Sequence, residues 1–162
     1  FKASVIDNET GSAINSADAL AALKMSVGLN PNQNGFKTSP YQFIAADMNQ
    51  DGKVTSADAL SILKIAVNLP DAPTKEWTLV SEKADFFDET QGRFRVTKND
   101  IDWASILDDI AQHDPDDNLV AVLKGDVNGS WAGSGDLASL SSNYFSALAS
   151  EDIGPIEQWW VV

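Results

Sequence analysis

The chain has 162 residues, 43% of them hydrophobic, and its 24 acidic side chains against 11 basic ones leave a net charge of −13. That length supplies a core for one domain or two small ones, and the charge argues against nucleic acid or an anionic membrane surface as a partner, since both require a basic footprint. With no cysteine in the chain, disulfides, thiolate zinc sites and thiol catalysis are excluded as well.

Aspartate outnumbers glutamate by 18 to 6. A solvated helix surface favours Glu, the better helix former, whereas turns, caps and cation-binding loops favour Asp. No run of apolar residues is long enough to span a bilayer. The chain opens on a strand-like run, FKASVID, and reads as a piece of a longer protein.

The first seventy residues contain a repeat. Residues 14–29, INSADALAALKMSVGL, lie without a gap over residues 54–69, VTSADALSILKIAVNL, and upstream Asp7 lies over Asp47. Each copy carries apolar residues at helical spacing: Leu20, Leu23 and Val27 in one, Leu60, Leu63 and Val67 in the other, the second stripe widened by Ile62 and Ala66. The spacing predicts two amphipathic helices packed on each other through these stripes. The first should end near Gly28, before Pro31, and the second near Asn68, before Pro70. Between them, SPYQFIAA (39–46) predicts a short helix with Ser39 as N-cap and Pro40 at the first helical position.

The second copy is preceded by DMNQDGKVTSAD (47–58). A calcium ion takes six to eight oxygen ligands, and a twelve-residue loop supplies them from positions 1, 3, 5, 7, 9 and 12, with glycine at 6 for the sharp turn. Those positions are Asp47, Asn49, Asp51, the Lys53 carbonyl, Thr55 and Asp58, with Gly52 at the turn. A capping box on TSAD and a plain turn at NQDG would explain the second half of the loop. They leave Asp47 and Asn49 unexplained. The first copy is preceded by DNETGSAINSAD (7–18), where Asp7, Glu9, the Ala13 carbonyl, Asn15 and Asp18 are the corresponding candidates. Its position 5 is Gly11, so this loop holds either a weaker cation site or none.

The stretch DMNQDGKVTSADALSILKIAVNL resembles the calcium loop and helix of a dockerin type I repeat, and the two copies resemble that family's duplicated arrangement. The resemblance covers about the first seventy residues. It implies a small helical module with two calcium ions that binds a cohesin module and so docks one extracellular protein on another. It also implies partner contact through loop positions 10 and 11, here Ser16, Ala17, Ser56 and Ala57, with the basic residues Lys24 and Lys64 behind them. The alanines depart from the hydroxyl pair common in cellulosomal members, so a non-cellulosomal dockerin with a cohesin-like partner is the expectation.

After Pro70 the texture changes, and PDAPTKE (70–76) reads as a linker. Strand-like runs follow at 76–80, 92–97, 118–125 and 156–162, with a helix predicted over 100–112 and a helix or loop over 136–150. All five tryptophans lie in this half: Trp77, Trp103, Trp131, Trp159 and Trp160. They are read as filling a small core in preference to forming a sugar platform. GDVNGSW (125–131) places Asp126, Asn128 and Ser130 in the 1, 3, 5 alternation, with Asp136 able to return as a later ligand, either as a third calcium site or as a plain Asn-Gly turn. The single histidine, His113, reads as a surface residue, and no nucleophile motif or phosphate loop is present.

The fold class expected is therefore α+β: a duplicated calcium-loop/helix module over 1–70, then a small β-containing domain over 71–162. The expected function is a non-catalytic, calcium-binding interaction module of a secreted or cell-surface protein. The rival expectation is a calcium-folded structural module of a large secreted enzyme or adhesin without a cohesin partner, and a weaker third is carbohydrate binding.

Overall fold

A computed structural model describes residues 12–33, 35–112 and 118–131. Two helices of the repeat, α1 (Ser16–Ser26) and α3 (Ser56–Ala66), flank a short α2 (Pro40–Ala46). Asn15 caps α1 and Thr55 caps α3, each within a capping box completed by Asp18 or Asp58. Ser39 caps α2 with Gln42 and with Pro40 in the first turn, as expected. Both repeat helices stop alike. Gly28 donates to the Met25 carbonyl at 2.9 Å and Leu29 to the Lys24 carbonyl at 2.8 Å; Asn68 and Leu69 repeat this on Ile65 and Lys64 at 3.1 and 3.0 Å. This double bond pattern requires a left-handed residue after the cap, which Gly28 (φ +80°) and Asn68 (φ +52°) provide.

The faces by which α1 and α3 meet differ from the expectation. Ala19, Ala22 and Met25 are buried against Ala59, Ile62 and Ile65, whereas Leu20, Leu23, Val27, Leu60, Leu63 and Val67 are exposed. The leucines and valines read as core are surface, while Ile62, which widened the second stripe, is buried as expected. The face that α1 contributes carries the small Ala19 and Ala22, and the face of α3 carries the larger Ile62 and Ile65.

The second half supplies β1 (Trp77–Ser81), β2 (Phe87–Asp88), β3 (Arg93–Phe94), α4 (Trp103–Ala111) and β4 (Leu119–Leu123). β1 and β4 pair antiparallel, Trp77 opposite Leu123 and Ser81 opposite Leu119. β2 and β3 make a two-residue hairpin ladder. The strand expected over 92–97 is thus only two residues long. Helix α4 begins three residues later than expected because Asp102 is its cap, accepting from the Ser105 N–H at 3.0 Å. On α4, Trp103 and Ile106 face inward with Ile101 just before them, and Leu107 is exposed.

One contiguous core runs through both halves. It joins Ala13, Ile14, Met25, Ile44, Val54 and Ile62 to Val80, Ile101, Trp103, Val122 and Val127. Tryptophans 77 and 131 meet edge to face at 4.9 Å, packing that suits the core-filling expectation. Trp159, Trp160, His113 and the segments 136–150 and 156–162 lie outside the described residues.

Candidate metal loop and docking face

The loop from Asp47 to Asp58 is organised around its carboxylates. Asp47 is fully buried at the end of α2. Its Oδ2 accepts from the Gly52 N–H at 2.9 Å and from the Trp103 indole N–H at 2.6 Å, and its Oδ1 accepts from the Asp51 N–H at 3.3 Å. Asn49 Oδ1 accepts from the Asp51 N–H at 3.1 Å, its amide donates to Asp51 Oδ2 at 3.0 Å, and Asp51 Oδ1 accepts from the Lys53 N–H at 3.0 Å. Asp58, also buried, closes the loop: Oδ1 accepts from the Met48 N–H at 3.0 Å, and Oδ2 from the Thr55 N–H and hydroxyl at 2.8 and 2.9 Å. The turn is held by left-handed residues, Gln50 (φ +58°) and Gly52 (φ +85°). A Cβ on Gly52 would lie 3.1 Å from the Ile101 carbonyl oxygen.

Burial raises the pKa of Asp47 above the ordinary carboxylate range, and the charges of Asp58 and Asp51 add to that. The Trp103 and Gly52 N–H groups pull the other way. Among the described residues, no three Asp, Glu or His side chains converge as a ready-made cage. The donor set of this loop is instead mixed: carboxylates, an amide, a hydroxyl and a carbonyl. That all-oxygen chemistry fits a hard cation such as calcium and offers nothing to a thiophilic metal.

The second half grips this loop. Val54 donates to the Lys98 carbonyl at 2.7 Å and Ile101 to the Gly52 carbonyl at 3.0 Å. Buried Lys124 reaches the Met48 carbonyl at 2.7 Å, with its ammonium 5.7 Å from the centroid of the Trp103 ring. Burial lowers the pKa of Lys124, opposed by the charges of Glu76, Asp47 and Asp58. The other copy is gripped too, since Lys98 caps α1 by donating to the Ser26 carbonyl at 2.8 Å. Trp103, Lys98 and Lys124 were not singled out by the sequence as site residues. Nothing in their local pattern marks them, because their partners are more than forty residues away.

Of the first copy's candidates, Asp7 and Glu9 lie outside the described residues. Asp18 is fully buried, and its Oδ2 accepts from the Asn15 N–H at 2.9 Å. Its Oδ1 accepts from the Asn128 N–H at 3.0 Å, which brings the 126–131 segment to the first copy. Asp136 is outside the described residues. Burial pushes the Asp18 carboxyl up to about 6, the Asn15 and Asn128 N–H groups opposing and the Asp126 charge adding to the rise. Asp126 is raised by burial as well, against N–H donation from Ser130 and Trp131.

The residues expected to meet a partner are at the surface of α1 and α3. Ser16, Ala17, Ser56 and Ala57 are exposed, and Lys24 and Lys64 are half-buried. Lys64 pairs with Asp71 at 2.5 Å. Leu20 and Leu60, each 53% exposed, and the exposed Leu23, Leu63, Val27 and Val67 belong to the same two helices or their caps.

Fold and loop together define a duplicated loop-helix module in which one loop has a full set of oxygen donors. Residues 8–67 match the family model of the dockerin type I domain. The chain thus carries a dockerin type I domain in its N-terminal part, a kind of module that binds calcium and docks proteins on one another. Neither the curated proteins nor the solved structures gave a match.

Proposed function

We propose that the chain is a non-catalytic docking module that binds calcium through Asp47, Asn49, Asp51, the Lys53 carbonyl, Thr55 and Asp58, and presents α1 and α3 to a cohesin-like partner outside the cell. Bound calcium would supply the positive charge that holds these carboxylates in one loop, so that binding and folding are coupled.

One observation carries the docking reading. Within the aligned helices the identical residues include Ser16/Ser56, Ala17/Ala57, Leu20/Leu60, Leu23/Leu63, Lys24/Lys64 and Val27/Val67. Each of these pairs is exposed or half-buried in both copies. Among the buried positions Asp18/Asp58 and Ala19/Ala59 are identical too, while Ala22 stands against Ile62 and Met25 against Ile65. Two copies constrained only by a shared core would keep their inner residues and let their outer ones drift. Here the outer apolar residues are duplicated as well, and apolar side chains left in water on matching faces favour a protein surface as partner. Secretion is proposed with the partner, and no helix among the described residues is long and apolar enough to cross a membrane. The division into modules at residue 70 is likewise proposed as an evolutionary boundary, across which the two sides share a core.

Capture on a panel of immobilised cohesin modules, in millimolar calcium and in excess chelator, tests this reading. Calcium-dependent retention supports it. Binding to none of the panel, with calcium bound and the fold intact, removes the cohesin-like partner and leaves the structural-module reading.

A further inference from the structure

The segment from Asp126 to Trp131 repeats the turn on Asp47 that opens the 47–58 loop. Asp126 Oδ1 accepts from the Ser130 N–H at 2.8 Å and Oδ2 from the Trp131 N–H at 2.8 Å. Those are the bonds that Asp47 receives from Asp51 and Gly52. The left-handed residue at the fourth position recurs as well, Gly129 (φ +66°) in place of Gln50 (φ +58°). This half-loop does not stand alone. Ser130 Oγ donates to the Ala13 carbonyl at 2.9 Å, and the Asn128 N–H donates to Asp18 Oδ1 at 3.0 Å. Ala13, Asn15 and Asp18 occupy positions 7, 9 and 12 of the first copy, and Asn15 binds Asp18 Oδ2 as Thr55 binds Asp58 Oδ2. Gly125 fixes the approach: it donates to the Ala45 carbonyl at 2.8 Å, and a Cβ on it would meet Ile14 at 3.2 Å.

We propose that the first calcium site is assembled from two distant segments, Asp126, Asn128 and Ser130 supplying positions 1, 3 and 5 and the Ala13 carbonyl, Asn15 and Asp18 supplying positions 7, 9 and 12. The donor set fits: two carboxylates, two amides, a hydroxyl and a carbonyl, all oxygen ligands. The two carboxylates are 0% and 3% exposed and lie within one hydrogen-bonded cluster. Two buried charges of one sign in such a place are costly without a cation between them. The missing donor at position 5 of the continuous first loop, where Gly11 stands, is replaced by Ser130. The segment around Asp126 then does not make a third site, and calcium ties the end of β4 to the start of α1.

The inference rests on the calcium reading of the module, and counting ions separates the two. Native mass spectrometry and calorimetric titration of the full chain with calcium should find two ions. Asp126→Ala should leave one, and combining it with Asp47→Ala should leave none. The exposed Asn128→Ala, which spares the buried carboxylates, should keep the fold and weaken one of the two sites about tenfold or more. Asp7→Ala should still bind two. Loss of an ion in Asp7→Ala, with two retained in Asp126→Ala and Asn128→Ala, overturns the split site and leaves the 47–58 loop untouched. Three ions, with Asp7→Ala and Asp126→Ala each removing one, overturn it too. A wild-type chain that binds no ion overturns the calcium reading itself.

Discussion

The indole N–H of Trp103 donates to Oδ2 of Asp47 at 2.6 Å, across fifty-six residues of sequence. The tryptophan belongs to α4 in the second half, and the carboxylate is the first of the candidate ligand positions in the 47–58 loop. A buried carboxylate needs donors for the lone pairs that do not face a cation. The chain meets that need from outside the repeat. The donor that orients this candidate ligand is therefore part of the second half, and the 47–58 loop is completed by residues beyond the match to the dockerin family.

Trp103→Phe keeps the ring and removes the donor. Hydrogen bonds to charged groups contribute about 1.5–3 kcal/mol, so calcium affinity of the 47–58 loop should fall by about tenfold or more. The calcium-loaded chain should also melt at a lower temperature. Calorimetric titration and thermal melting check this. Unchanged affinity would mean that the bond is incidental to the loop.

Loop and second half share backbone bonds at Val54–Lys98 and Gly52–Ile101. Chelating calcium should therefore loosen more than residues 47–58. Amide exchange at Ile101, Trp103 and Lys124 should accelerate together with that at Gly52 and Val54. Hydrogen exchange with and without chelator measures it, and protection retained after residue 98 would show that the second half holds its structure without the ion.

Much of the fold was legible because it is local. The caps at Ser39 and Thr55, the stop signals at Gly28 and Asn68 and the ligand spacing of 47–58 are set by neighbours within a turn or two. The faces of α1 and α3 were misread for a reason of the same kind. Both Leu20–Leu23–Val27 and Ala19–Ala22–Met25 run at helical spacing, and hydrophobicity alone favours the leucines for the core. Small side chains are what let two helices approach closely, and the apolar surface so displaced faces outward. The grip of Trp103, Lys98 and Lys124 on the loops depends on contacts remote in sequence, which no periodicity encodes.

Gly125 offers a test of how the half-loop is seated. Its φ of +95° disfavours any side chain, and an added Cβ would lie 3.2 Å from Ile14. Gly125→Ala should destabilise the chain by about 1–3 kcal/mol. Chemical denaturation with and without calcium measures the cost. A neutral substitution would mean that the approach of β4 to the start of α1 is looser than these distances state.

The two faces of the repeat helices should separate cleanly under mutation. Ile62→Ala opens a cavity between α1 and α3 where the side chain is fully buried, and about 2–5 kcal/mol of stability should be lost. Partner capture at saturating calcium should survive wherever the fold survives. Leu20→Glu with Leu60→Glu changes only exposed side chains and should leave the melting temperature nearly unchanged. It should abolish capture by a cohesin-like partner, because it removes apolar contact from both copies at once. Either single substitution should retain capture if the duplicated faces act as alternatives. Melting curves paired with capture assays decide it. Capture intact in the double variant would exclude this face as the docking surface, and capture lost in one single variant alone would show that only that copy is used.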